Sequence, residues 1–189
     1  MSDAAAKRRA RQTVNNLALS LLATLGIVLV LVLIVPRDDS NRIPHVDYQQ
    51  VAQDAAASSG QPIVAPALGK GWWANKATWA TGAADGIDTF EVGLVSPVNH
   101  YIAFKQGFGT NPTWVALQLV GSIQTGTIVS SGVEWQVWES VEQHDPPKSK
   151  DYVLVASIGN DTAMIYGTAD KTEFETFRVT VSKQLKEVY

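Results

Sequence analysis

The sequence predicts an α+β protein: an N-terminal transmembrane helix, then a twisted antiparallel sheet of about seven strands flanked by helices. Three observations predict it. One uncharged apolar run occupies Leu17 to Val35. Every Trp, Tyr and Phe lies after that run. The remainder is mostly short alternating segments between Gly, Pro, Asn and Asp turns, interrupted by three stretches with helical spacing.

The apolar run is the first element. Ser20, Thr24 and Gly26 are its only interruptions, and Pro36 closes it. At ~1.5 Å per residue it spans roughly 28 Å, close to the hydrocarbon thickness of a bilayer. Lys7, Arg8, Arg9 and Arg11 precede it against Asp3 alone, whereas Arg37, Asp38, Asp39 and Arg42 balance after it. The positive-inside rule therefore places the N-terminus in the cytoplasm and residue 36 onward outside. A cleaved signal peptide needs a shorter core followed by a small-x-small site. Leu33-Ile34-Val35-Pro36-Arg37 offers none, so the run is expected to be an uncleaved signal anchor in the cell membrane. The organisation that follows is a cytoplasmic basic tail (1–16), a transmembrane signal anchor (17–35), a linker (36–45) and an extracytoplasmic α+β domain (46–189).

Charge is split across that boundary. The chain has 15 Lys+Arg and 18 Asp+Glu; four of the former and only Asp3 of the latter precede residue 17, so the remainder carries a net charge of −6. An acidic outer domain argues against a nucleic-acid-binding surface. The sequence contains no cysteine, which excludes disulfides, thiolate metal sites and a cysteine nucleophile.

In the outer domain, Asp47 to Ser58 reads as a helix. Asp47 is the N-cap, Gln50 completes a capping box, and Val46 and Val51 form a hydrophobic staple. Gly60-Gln61-Pro62 ends it. Trp72–Thr81, Ile87–Val95 and His100–Gln106 alternate and make a three-strand meander around two turns. Asn111 as cap and Pro112 at the first helical position start a second helix, which Gly121 closes. Its apolar faces are Val115 with Leu119, and Trp114 with Leu117 and Val120. Gly126–Ser130 and Val133–Ser140 flank a Ser131-Gly132 turn; the polar stretch Val141 to Lys150, with Pro146-Pro147, is a loop. Tyr152–Ile158 and Thr162–Thr168 flank Gly159-Asn160-Asp161, a hairpin signal. In the last helix, Asp170 and Glu173 form a capping box. Phe174, Phe177, Val181, Leu185 and Val188 make its buried stripe, and Lys, Glu, Gln and Arg its outer face.

Several segments in fixed order resemble the actinobacterial membrane-protein family of the domain of unknown function 4245. They are Val35-Pro36-Arg37-Asp38, Val46-Asp47-Tyr48, Ala65-Pro66 leading to Gly71-Trp72, Val92-Gly93-Leu94-Val95-Ser96-Pro97 running into Tyr101-Ile102-Ala103, and Gly132-Val133-Glu134-Trp135. The resemblance implies a single-pass envelope protein and brings no catalytic residue with it.

No constellation of reactive residues stands out. His45, His100 and His144 form no His-x-x-x-His pair. His45 falls in the linker, His100 at a strand start and His144 in the polar loop, so no metal or cofactor site is expected. There is no Gly-x-Ser-x-Gly elbow. Glu134 and Glu139 have odd spacing and face opposite sides of their strand; Glu91 is expected to face solvent. Gly107 to Pro112 lacks the third Gly of a dinucleotide loop and the Gly-Lys of a P-loop, so it reads as a connection. Asn160-Asp161-Thr162 matches a glycosylation sequon but sits in the hairpin turn. The tryptophans remain. Trp72 and Trp73 alternate, as do Trp135 and Trp138, so one of each pair is expected away from a single-faced core. Trp72, Trp73 and Trp138 are the candidate partner contacts. The expected role is a non-enzymatic accessory or binding subunit of a membrane or envelope protein complex. The alternatives are a small-molecule, lipid or glycan-binding domain and, behind these, a hydrolase.

Overall fold

The computed structural model describes residues 2–34, 44–82, 86–142 and 144–189. It divides into two units, residues 1–42 and 43–189.

The first unit is one helix, α1 (Ser2–Ile34). The most apolar 18-residue window within Arg11–Ile34 has a mean hydropathy of 3.0, and none of that window is buried within the chain. Thr13 and Thr24 donate their hydroxyls to the carbonyls of Arg9 and Ser20, so these polar groups pair inside the helix. The segment is long and apolar enough for a membrane anchor or a signal sequence. The helix continues upstream through the basic tail. Val35 and most of the expected linker fall outside the described residues.

The second unit has the expected order of a helix, three strands, a helix, four strands and a helix. These are α2 (Tyr48–Ser59), β1 (Trp73–Ala80), β2 (Asp88–Val95), β3 (Tyr101–Phe108), α3 (Pro112–Gln118), β4 (Ser122–Ser130), β5 (Val133–Ser140), β6 (Tyr152–Ile158), β7 (Asp161–Gly167) and α4 (Lys171–Val188). They form one antiparallel seven-stranded sheet ordered β1-β2-β3-β7-β6-β5-β4. The two meanders meet where β3 pairs with β7, so the most apolar strands are central.

The sheet is buried on both faces. On the first face, Val137, Leu154, Ile165, Phe104 and Val92 align across paired strands. They are covered by Ala52 of α2 and by Phe174, Phe177, Val181 and Leu185 of α4. The Trp135 indole N–H donates to Ser182 Oγ at 2.9 Å, and that hydroxyl donates to the Arg178 carbonyl at 2.6 Å, which fixes α4 on β5. Buried Gln106 accepts from the Val64 N–H at 2.7 Å and donates to the Pro62 carbonyl, pinning the passage between α2 and β1. On the second face, Ala103, Val153, Val155, Met164 and Tyr166 are covered by Trp114 and Leu119 around α3.

Several local expectations change. Asp47 caps α2, but the Gln50 side chain donates forward to Asp54, so the reciprocal half of the capping box does not form. Strand β4 begins at Ser122, not Gly126, because a bulge at Thr125 lets pairing with β5 continue. The buried stripe of α4 ends at Leu185, leaving Val188 exposed, and Arg178 lies on the buried side of the helix rather than its outer face. Helix α3 ends at Gln118, short of Gly121, and Leu117 and the following Val120 face solvent.

Candidate functional site

The short helix α3 organises the second sheet face. Asn111 caps it, accepting from the Trp114 N–H at 2.9 Å. The approach is tied to the β6–β7 hairpin: the Gly109 N–H donates to Asp161, the Thr110 N–H to the Asn160 carbonyl, and the Thr110 and Thr162 hydroxyls lie 2.6 Å apart. The Trp114 ring fits over Gly107, where a Cβ would come within 2.7 Å of it. The segment read as a plain connection is therefore a fixed mount. With only seven residues, α3 leaves sheet uncovered on both flanks.

One flank is a groove of about 610 Å³ between α3 and strands β5 and β6. Trp138 and Val155 floor it, and Val115, Ala116 and Leu119 form its helical wall. Its rim carries hydroxyls and amides, including Ser122, Gln136, Ser157 and Asn160. The Trp138 indole N–H donates to Gln136 Oε1 at 3.2 Å. Asp161 is the single ionisable group among the described lining residues. It is held by the Gly109 N–H and by the Tyr189 hydroxyl at 2.7 Å. Leu117 of α3 and Val120 just past its end are 60% and 78% exposed and are not among the groove's lining residues.

The other flank is charged. Glu91, expected in solvent, is half-buried, with Lys76 Nζ at 2.9 Å and Lys105 Nζ at 3.7 Å from its oxygens. Burial raises its carboxyl, but Lys76, Lys105 and the Tyr166 hydroxyl outweigh this and hold it below the usual carboxylate range. Burial and the same carboxylate push the Tyr166 hydroxyl well up. Lys105 also lies over the Trp114 ring, so this flank braces α3.

Two histidines meet carboxylates elsewhere. His100 Nδ1 is 2.5 Å from Glu173 Oε2, and His144 Nδ1 is 2.7 Å from Asp151 Oδ1. His100, Asp170 and Glu173 bring one ligand-type atom each within 4.8 Å of one another, the closest approach to a metal-capable set among the described residues. Two of its carboxylates already serve the α4 cap: Asp170 accepts from the Glu173 N–H, and Glu173 from the Asp170 N–H. Burial raises Glu173, yet hydrogen bonds from Ser96, His100 and the Asp170 N–H lower it further than burial raises it. Asp151 is likewise held low, with burial opposed by the Lys148 N–H and His144.

The candidate tryptophans separate. Trp72 precedes β1 and stacks on Phe177 with centroids 6.0 Å apart; Trp73 stacks on His45 at 4.4 Å. Both are half-buried. Trp135 belongs to the first-face core and Trp138 to the second face, as their odd spacing requires. Only Trp138 lines the groove. Its partners Gln136 and Val155 went unremarked in the sequence, although Gln136 shares its face at i−2 and Val155 pairs with Gln136. The profile of a family described as "Protein of unknown function (DUF4245)" matches residues 9–180. No curated protein and no solved structure matches the chain.

Proposed function

This chain belongs to the DUF4245 family, and from that premise we propose that it is a single-pass actinobacterial membrane protein whose outer domain is a binding or accessory subunit of an envelope complex. The basic flank before the apolar run supports an inward N-terminus. The observation that carries the binding role is the Trp138 groove. It is open, floored by an aromatic ring and walled by Val115, Ala116 and Leu119, with one carboxylate in its lining. Interface centres share this character: rich in aromatic side chains and poor in charge. The occupant favoured is a segment of a membrane or envelope protein. A glycan is the second reading, since an aromatic floor with amide and hydroxyl rims suits a sugar ring equally. The hydrolase reading has less support, because the described residues of the groove lining include neither a histidine nor a second acid.

The test is photo-crosslinking in cells. A benzophenone side chain at Ser157, on the groove rim, should give an adduct with a membrane protein; one at Lys183, on the exposed side of α4, should not. Trp138→Ala should weaken that association by roughly 1–3 kcal/mol, as for a hot-spot aromatic, with the melting curve nearly unchanged. Equal adducts from both positions would remove the groove from the proposal. For topology, a cysteine at Ser58 should react with an impermeant thiol reagent on intact cells and one at Ser2 should not; the reverse pattern overturns the orientation.

A further inference from the structure

Four basic residues, Lys7, Arg8, Arg9 and Arg11, crowd into five positions ahead of the apolar run, with Asp3 the only acid beside them. Helix α1 begins at Ser2 and passes through them into the run without a break. No Gly or Pro lies between Arg8 and Leu25. Helix geometry therefore fixes how far each charge stands from the hydrocarbon. Arg11 is six residues before Leu17, about 9 Å along the axis, and Arg8 is nine residues before it, about 14 Å. A headgroup layer is about 5–8 Å deep, and the long stem of an arginine lets its guanidinium reach down to that layer. Arg8, Arg9 and Arg11 are exposed, and among the described residues no ion pair takes up their charge.

The arrangement fits phosphate headgroups. A guanidinium donates two parallel N–H···O bonds to a phosphate, and three of the four cations are arginine. Arg8 and Arg11, three positions apart, share one side of the helix, whereas Arg9 does not face Arg11. A protein docked on one side would leave part of this charge unanswered; lipids surround a spanning helix on every side. The far end of the run has no such bias, since Asp38 and Asp39 balance Arg37 and Arg42. We propose that Lys7, Arg8, Arg9 and Arg11 bind the phosphate headgroups of anionic phospholipids in the leaflet at the N-terminal end of α1. Such binding needs α1 to span a bilayer, the reading proposed for this chain, but it is independent of which side the N-terminus faces.

The full-length chain reconstituted in phosphatidylcholine vesicles with a minor share of phosphatidylglycerol tests the assignment. The sequence has no cysteine, so bimane on Ser20→Cys reports the N-terminal leaflet and bimane on Val32→Cys the other. Brominated acyl chains, placed on one lipid or the other, quench the label according to how often that lipid sits beside the helix. At Ser20 phosphatidylglycerol should be favoured by about fivefold, the factor that one basic side chain contributes at an anionic surface. At Val32 neither lipid should be favoured. Lys7→Gln, Arg8→Gln, Arg9→Gln and Arg11→Gln combined should bring the Ser20 preference to about one, and so should molar salt, which screens exposed charge. No preference at Ser20, the same preference at Val32, or a preference that survives the combined variant would overturn the proposal. Quenching by neither lipid at either position would place α1 outside the bilayer and overturn the spanning reading with it.

Discussion

Gly107→Ala should dislodge α3. A Cβ at position 107 would lie 2.7 Å from Trp114 Cη2, 3.0 Å from Trp114 Cζ2 and 2.7 Å from Thr110 Cγ2. Carbon atoms prefer roughly 3.5–4.0 Å, so the indole must withdraw by about 1 Å. Lys105 lies over that ring and Gly107 is in mid-sheet, paired on both sides, which leaves little room for compensation. Overpacking of this kind costs about 1–3 kcal/mol. The gain from restricting the unfolded chain, about 0.4–1 kcal/mol, reduces the net to about 1–2 kcal/mol. Such a loss lowers the melting temperature by about 2–8 °C at this size. Near-UV circular dichroism of the full-length protein reads both the melt and the tryptophan packing. Trp114→Phe removes the two indole atoms that collide, so adding it to Gly107→Ala should recover part of the loss and reveal a coupling between the sites. The Ser157 adduct should weaken in Gly107→Ala as well, because Val115 and Leu119 move with the helix. An unchanged or raised melting temperature in Gly107→Ala would refute the seating of Trp114 on that glycine.

Two further outcomes follow from the first-face packing and the paired carboxylates. Phe177 is fully buried against Trp72 and the sheet, so Phe177→Ala should cost about 3–5 kcal/mol in urea unfolding; a loss under about 1 kcal/mol would mean that α4 is not docked as described. Glu173 and Asp151 have folded pKa values below their ordinary ones, so their contribution is complete above the unfolded value near 4 and is lost as pH falls through the folded value. Stability should therefore drop below about pH 4, and Glu173→Gln with Asp151→Asn should flatten that drop; an identical acid limb in the double variant would show that other groups carry it.

What the sequence made legible was whatever rests on local pattern. The capping box at Asp170 and Glu173, the cap at Asn111 followed by Pro112, and the Gly159-Asn160 turn each depend on residues within a few positions of one another, and all form. Strand alternation likewise placed Trp135 and Trp138 on opposite faces. What it could not supply was which strands meet. Glu91 looks solvent-facing in its own strand, and only the pairing of β2 with β1 and β3 brings Lys76 and Lys105 to it. Arg178 looks like an outer-face cation by composition, yet it sits one turn after Phe174 and one before Ser182, both buried. A long aliphatic stem lets an arginine share an apolar stripe, so residue type alone misassigned it. The metal-capable trio of His100, Asp170 and Glu173 also depends on β3 meeting the start of α4, some seventy residues later.

The two flanks of α3 differ because the sheet changes character along a single cross-strand row. Gln136, Val155, Met164, Lys105, Glu91 and Thr78 are successive partners across β5, β6, β7, β3, β2 and β1. The apolar middle of that row lies under Trp114 and Leu119. On the β3 side, Lys105 and Glu91 satisfy one another and brace the helix, so their charge is committed to the fold. On the β5 side, among the described residues, Gln136 and Trp138 hydrogen-bond only to each other through their side chains and no second helix covers that face of the sheet. A ligand seated on the charged flank would have to compete with ion pairs that hold α3 in place. A ligand in the Trp138 groove displaces solvent from an aromatic and aliphatic surface while leaving those pairs intact. Both flanks of the short helix expose sheet, but on one the side chains are committed to ion pairs and on the other they are not, which makes the Trp138 side the one where a ligand would cost the fold least.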